Sequence, residues 1–198
     1  MTIIIGALLD DGRHILVGDG NIFMNGGRRA SSFVKVRKVT GTYKGRTALV
    51  GVAGSPVDLQ VYDDAIHAYL NTSSPAFTDV FFKLSERYRN LSRTNESVGL
   101  AWLPDYDSKL ALLSIDSNCF AREVDECNFH AEGTGGVEAR AALLGLAMQS
   151  RAQGELPDVK WHDFLKAWKP SYAQVMHAYE VACLMDAYCG GVMTALFL

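Results

Sequence analysis

The 198-residue sequence predicts an α+β fold in which two antiparallel β-sheets are packed between layers of helices. Strand-like runs and helical periodicities follow one another as strands, two helices, strands, two or three helices and one last strand. Helices therefore do not alternate with strands one for one, as a doubly wound parallel sheet requires. Short glycine-containing turns between consecutive strands are typical of antiparallel neighbours.

Five strands are predicted in the first part of the chain. Apolar and β-branched runs are separated there by turn residues at Gly12, Gly20 and Gly26-Gly27. The predicted strands are residues 2–9, 14–19, 22–24, 33–39 and 47–52.

A helix is predicted to begin after Ser55. Ser55 is a favourable N-cap, Pro56 suits the first helical position, and Asp58 lies three residues past the cap. A second helix is predicted over about 75–91. In the first helix, apolar residues recur at spacings of three and four and indicate one buried face: Val57, Val61, Tyr62, Ala65, Ile66 and Tyr69.

Strands return in the second half of the chain, followed by helices and a final strand. Turn signals at 104–105 and 116–118 separate three predicted strands, 98–103, 109–115 and 120–124. A glycine-rich turn at 133–136 precedes a helix that reaches residue 149. The remaining predicted elements are a short helix over 161–168, a helix over 171–188 that Ser171 caps, and an apolar strand over 192–198.

The composition is that of one globular domain spanning residues 1–198. Apolar residues make up 48% of the chain, charged residues 21%, and the net charge is −3. No basic block favours nucleic acid or an anionic membrane surface, and no apolar stretch is long enough to cross a bilayer. The first 20 residues lack a basic n-region and contain Asp10, Asp11 and Arg13, so no signal peptide is predicted and the cytoplasm is the expected compartment.

No metal or cofactor site is predicted. The cysteines form no C-x-x-C pair and have no histidine at zinc-finger spacing, and the five histidines form no H-E-x-x-H motif. Four free thiols are expected, at Cys119, Cys127, Cys183 and Cys189.

The start of the chain carries a candidate nucleophile. Removal of Met1 is expected, because threonine is a small second residue, and it gives Thr2 both a hydroxyl and a free α-amine. The amine has a reference pKa of about 7.7–8.0, so it is partly neutral near pH 7 and can accept the hydroxyl proton. We expect Lys35 to point inward, pair with Asp19 and lower the pKa of the Thr2 hydroxyl. Taken alone, each residue also has a purely structural interpretation.

A strand that ends in glycine before a helix, as 50–55 does, exposes backbone N–H groups suited to an oxyanion. Thr2, Asp19, Lys35 and this glycine-containing turn follow one another in an order that resembles proteasome β-subunits and HslV-type peptidases of the N-terminal-nucleophile (Ntn) hydrolases. That family has equal spacings from threonine to aspartate to lysine. Here Asp19 to Lys35 is 16 residues and Thr2 to Asp19 is 17, and the extra residue fits in the turn at 10–12. The family's oxyanion glycine falls on Gly54.

The resemblance continues to the far end of the chain and implies the family's four-layer αββα sandwich. The turn at 133–136 looks like the family's Gly-Ser-Gly turn, with Thr134 in place of the supporting serine. Residues 185–191 are similar to the Asp-x-x-Ser-Gly-Gly ending, which assigns Asp186 a position near the nucleophile. Cys189 replaces the expected serine, and a thiol is a weaker hydrogen-bond partner.

The resemblance implies a threonine-type endopeptidase in which Thr2 attacks a peptide carbonyl. Two alternatives remain, a catalytically inactive scaffold that kept the fold and an Ntn amidase of a small molecule. By alignment, the substrate-binding residues on the acyl side of the cut are Ile22, Phe23, Phe33, Arg37, Val52 and Pro56.

The resemblance also implies an assembly. It predicts two stacked rings of six or seven identical subunits, with the threonines facing an inner chamber that admits peptides or unfolded proteins. A ring ATPase that unfolds substrates is a possible partner. The absence of a long N-terminal extension favours the catalytic β-type, with Met1 alone as the pro-segment.

Overall fold

The computed structural model describes residues 2–23, 29–30, 34–73, 75–154, 159–186 and 189–198. In chain order the strands are β1 Ile3–Leu8, β2 His14–Gly18, β3 Ile22–Phe23, β4 Arg29–Ala30, β5 Val36–Thr40, β6 Thr47–Ala53, β7 Val98–Pro104, β8 Leu110–Ile115, β9 Ala121–Glu123, β10 Phe129–Gly133 and β11 Thr194–Phe197. The helices are α1 Pro56–Leu70, α2 Thr78–Asn90, α3 Gly136–Ala152, α4 Trp161–Ala167 and α5 Tyr172–Met185.

Two antiparallel sheets form the centre of the fold. One has the strand order β10-β1-β2-β11 and the other β5-β6-β7-β8-β9, while β3 and β4 pair as a small hairpin. A core cluster lies between the two sheets, and it includes Ile4, Leu16, Leu49 and Leu100. Each outer face carries helices, α3 and α5 on the first sheet and α1 on the second. The predicted α+β sandwich of two antiparallel sheets between helix layers is therefore confirmed.

Strand β1 explains why the chain opens with an uninterrupted apolar run. Ile3 and Ile5 pack toward the helices of the first sheet, whereas Ile4 packs into the layer between the sheets. All three side chains are fully buried. A strand covered on both faces needs apolar residues at consecutive positions, and Thr2 is thereby held at the rim of the sandwich.

Several predicted boundaries are wrong by a few residues, and two strands, β4 and β10, were missed. Strand β10 was not predicted, although Phe129 and Ala131 alternate with polar residues as strands do. Its polar residues, His130 and Glu132, pair with each other, and Glu132 also accepts a hydrogen bond from Ser114. Strand β5 begins after Lys35, not at residue 33, and α5 ends at Met185, not at 188.

None of the described helices is both long and apolar enough to span a membrane. Across the same described ranges, no group of three or more His, Cys, Asp or Glu side chains is arranged to hold a metal ion. The four cysteines are free.

Truncating Leu16 tests the layer between the sheets. Leu16 is fully buried there, so Leu16→Ala is expected to lower the free energy of unfolding by about 2–5 kcal/mol through lost burial and a residual cavity. Urea denaturation measures the change. Leu91→Ala, which truncates a leucine that is 54% exposed, is the matched control and should change stability by less than about 1 kcal/mol. Equal effects of the two substitutions would contradict the described layering.

Candidate active site

The strand pairing brings the predicted residues to one end of the sandwich. β1 and β2 are antiparallel with Ile4 opposite Gly18, so the start of β1 lies beside the end of β2. Thr2 immediately precedes β1, and Asp19 immediately follows β2. The second sheet contributes the residues that flank two of its strands at the same end, with Lys35 before β5 and Gly54 after β6.

Thr2, Asp19 and Lys35 form one buried polar cluster. Lys35 Nζ donates a hydrogen bond to Asp19 Oδ1 at 2.9 Å and another to Thr2 Oγ1. Thr2 and Lys35 are each 2% exposed, and Asp19 is fully buried. The ion pair predicted from the sequence is present, and its lysine directly contacts the threonine hydroxyl.

Asp19 is fixed by backbone amides as well as by Lys35. Its Oδ1 accepts from Ile3 N at 3.0 Å, and its Oδ2 accepts from Asn21 N at 3.3 Å and Gly190 N at 3.2 Å. Burial lowers the pKa of Lys35, while the charge and hydrogen bond of Asp19 oppose that shift. The carboxylate therefore favours the protonated form of Lys35, whereas burial favours the neutral form.

The turn after β10 holds the backbone of Thr2. Thr2 N donates to Thr134 Oγ1 at 3.2 Å, and Gly135 N reaches Thr2 O at 3.5 Å. Gly133 has φ +92°, and a Cβ built on it would lie 2.0 Å from Thr2 O. Only glycine fits this close approach, so the glycine-rich turn serves to bring Thr134 against the nitrogen of Thr2.

Cys189 lies behind Thr134 and interacts with Asp186. Cys189 Sγ is 4.0 Å from Thr134 Oγ1 and donates to Asp186 Oδ2 at 3.3 Å. Burial, the hydrogen bond to Asp186 and the nearby carboxylates raise the pKa of the Cys189 thiol to about 12. The group is therefore a neutral thiol at physiological pH and acts as a donor to Asp186, not as a nucleophile.

Alkylation of Cys189 tests this assignment. A thiol with a pKa of about 12 is roughly a thousandfold less ionised at pH 8 than an ordinary cysteine, and Cys189 is only 4% exposed. We expect iodoacetamide at pH 8 to modify Cys189 at least about 10³-fold more slowly in the folded protein than in urea. Mass mapping of the modified peptides measures both rates, and comparable rates would contradict a protonated, buried thiol.

A cleft of about 430 Å³ opens directly beside Thr2. Three of its lining residues were not predicted, because no sequence motif marks them. They are Glu96, just before β7, Val98 at the start of β7, and Glu132 in β10. Burial acts to raise the pKa of Glu132, but hydrogen bonds from His130 and Ser114 outweigh it and leave that pKa below its usual value. The other lining residues are Thr2, Ala53, Gly54, Gly133 and Thr134.

Gly54 lines this cleft with an exposed backbone. It follows the last residue of β6 and precedes Ser55, the N-cap of α1, whose hydroxyl accepts from Val57 N at 3.3 Å. Within the described part of the chain, Gly54 N has no hydrogen-bond acceptor. An N–H group in this position can donate a hydrogen bond to an oxygen of a bound molecule.

Of the predicted substrate-binding residues, Val52, Arg37 and Pro56 are not among the described residues that line the cleft beside Thr2. Val52 packs in the core beneath α1. Arg37 forms an ion pair with Asp63 of α1, and Pro56 is exposed at the first turn of that helix. Ile22 and Phe23 form β3, and Phe33 lies outside the described residues, so a pocket formed by this set stays a prediction.

Solved structures with the same fold define the class to which this architecture belongs. No protein-family model and no curated protein matches the sequence. The chain is similar in structure to eukaryotic HslV from Trypanosoma brucei, with 18% identity, a TM-score of 0.66, and coverage of 99% of this chain and 98% of that one. It is also similar to Thiobacillus denitrificans BPH in complex with epoxomicin, with 14% identity, a TM-score of 0.64, and coverage of 99% and 97%.

A third similar structure is the helical assembly of the Anbu complex from Pseudomonas aeruginosa, with 14% identity, a TM-score of 0.65, and coverage of 99% of this chain and 80% of that one. The chain thus has the proteasome-like Ntn fold that HslV and Anbu share. At 14–18% sequence identity, the similarity to these structures shows a shared fold alone.

Proposed function

We propose that the protein is a threonine-type endopeptidase that uses Thr2 as its N-terminal nucleophile. The observation that carries this proposal is the contact of Lys35 Nζ with Thr2 Oγ1 inside a buried ion pair, at the edge of a cleft. A positive charge beside a hydroxyl lowers its pKa and stabilises the alkoxide.

The proposed acylation step uses both functional groups of Thr2. Once Met1 is removed, the neutral α-amine takes the proton from Oγ1 as Oγ1 bonds to the peptide carbonyl carbon. The carbonyl oxygen becomes an oxyanion, which Gly54 N–H stabilises. The C–N bond then breaks as the ammonium returns its proton to the leaving amine, and an ester on Thr2 remains.

Deacylation reverses these proton transfers with water. The Thr2 amine removes a proton from the attacking water, and the ester C–O bond breaks as the proton returns to Oγ1. In this proposal Thr134 orients the amine, because the nitrogen of Thr2 donates to its hydroxyl. Cys189 and Asp186 hold Thr134 from behind.

We further propose that the chain assembles with copies of itself and acts on peptides or unfolded proteins. Two stacked rings of six or seven subunits, in the cytoplasm, with a ring ATPase as unfolding partner, remain the expected arrangement. The assembly named for the Anbu structure of similar fold supports self-association as such. Native mass spectrometry tests the subunit number, and a monomer at micromolar concentration would count against a chamber.

The function is tested by two measurements on the purified protein. Intact mass should show a chain without Met1, and a panel of fluorogenic peptides should contain members that it cleaves. A retained Met1 with no cleavage would instead support the inactive scaffold. A processed chain that hydrolyses small amides but no peptide would support the amidase.

A further inference from the structure

A second buried polar network lies against the Gly54-Ser55 turn. Its centre is Asp58, in the first turn of α1, which is fully buried. Asp58 Oδ1 accepts from Tyr88 OH at 3.0 Å and pairs with Arg93 Nη2 at 3.0 Å. Ser97 Oγ donates to the other carboxylate oxygen. The buried charge is thus paired and held by donors from three segments of the chain.

Ser97 connects this network to the turn. Its Oγ accepts a hydrogen bond from Ser55 N at 3.2 Å while donating to Asp58. Ser97 also packs closely under Gly54, where an added Cβ would lie 1.8 Å from Ser97 Oγ and 2.5 Å from Ser97 Cβ. Ser97 therefore holds the Gly54–Ser55 peptide, which directly follows the Gly54 N–H, and packs against the Cα of Gly54.

The network extends from Ser97 into the core of the second sheet. Asn95 Oδ1 accepts from Tyr88 OH at 2.9 Å and from Ser97 N at 2.9 Å, and Asn95 Nδ2 donates to Tyr62 OH at 3.2 Å. Ser97 is 1% exposed and Asn95 9% exposed. Because Asp58, Tyr88, Asn95 and Ser97 are all buried and hydrogen-bonded to one another, the position of Ser97 Oγ is fixed by the core of the second sheet, not by the loop it supports.

We propose that Ser97, oriented by the Asp58 carboxylate, is the positioning residue for the oxyanion donor Gly54 N–H. This inference rests on the proposed function, since it assigns a role within that reaction. Ser55 N–H donates to the Ser97 hydroxyl, which in turn donates to the Asp58 carboxylate. These two hydrogen bonds hold Ser55 N against the core. The preceding Gly54 amide thereby keeps the orientation toward the cleft that an oxyanion needs. Ser97 touches no reacting atom, so its effect passes through the turn.

A Ser97→Ala variant tests the role by kinetics. A donor that must be aligned before it can stabilise the transition state loses efficiency when its support is removed. We expect kcat for a cleaved fluorogenic peptide to fall at least about tenfold, while KM stays within about twofold. Ser150→Ala, which changes another buried serine, 8% exposed and located in α3, is the matched control and should leave both parameters unchanged.

Hydrogen–deuterium exchange provides a readout besides activity. Loss of the Ser97 hydroxyl should raise amide exchange across residues 50–57 at least about tenfold, with the peptides of β1 and β10 unchanged. If Ser97→Ala does not fold, Tyr88→Phe removes a donor from Asp58 without touching the turn, and the same two changes are expected with smaller size. An active wild-type enzyme whose variants keep kcat and exchange would overturn this inference and leave the peptidase standing. A processed wild-type protein inactive toward every peptide would overturn the proposed function, and this inference with it.

Discussion

Replacing Thr2 with alanine is expected to abolish peptide cleavage, lowering kcat/KM by at least about 10³-fold. The Thr2→Ala variant would keep the α-amine and the backbone hydrogen bond to Thr134, but it has no oxygen at this position to attack the carbonyl. Lys35 and Gly54 would then have no alkoxide and no oxyanion to stabilise. Fluorogenic peptide assays on wild type and variant, purified in parallel, measure the loss.

The control for this prediction is Thr2→Ser, which retains both the hydroxyl and the amine. It is expected to keep activity within about 10² of wild type, because only a methyl group is lost from the nucleophile. The intact masses of all three proteins must show that Met1 has been removed from each. Cleavage that persists at the wild-type rate in Thr2→Ala would exclude Thr2 as the nucleophile.

Removing the charge of Lys35 is expected to cost both stability and activity. Lys35→Met keeps an unbranched side chain, one atom shorter, but leaves the fully buried Asp19 without its cation. Removing one partner of a buried ion pair typically lowers the free energy of unfolding by about 3–5 kcal/mol. Because three backbone amides also bind Asp19, we expect a loss of about 3 kcal/mol here. Urea denaturation measures the stability, and peptide hydrolysis, expected to fall at least about 10²-fold, measures the site.

The double variant Asp19→Asn/Lys35→Met separates the two effects. It removes both charges, so the uncompensated buried carboxylate is absent and part of the lost stability should return. Activity should not return, because no cation then contacts Thr2 Oγ1. A Lys35→Met protein as stable and as active as wild type would show that the ion pair has neither role.

Local sequence signals predicted the elements whose ends are marked by capping residues. Ser55 and Pro56 mark the start of α1, and Ser171 caps α5 in a capping box with Gln174. The pairing of Asp19 with Lys35 was also predictable, although only through the order of the whole set. Neither residue alone differs from a turn aspartate or a strand lysine.

Long-range pairing explains what the sequence did not reveal. Strand β10 is defined by its ladder to β1, which is more than a hundred residues away in sequence. Its partly buried Glu132 is stabilised by hydrogen bonds with Ser114 and His130. The cleft residues Glu96 and Val98 have no motif, since their position follows from where β7 begins. Ser97 is likewise unremarkable in sequence, and only its contacts with Gly54 and Asp58 make it a candidate.

In the proposed mechanism, the amine and the hydroxyl of one residue, Thr2, act together. An α,β-epoxyketone tests it most directly, because such a reagent offers a ketone and an epoxide to two nucleophiles. We expect one inhibitor per processed chain, attached at Thr2 through both oxygen and nitrogen in a closed ring, as peptide mapping and a structure of the adduct would show. An unlabelled processed chain, or an adduct carried by a residue other than Thr2, would contradict it.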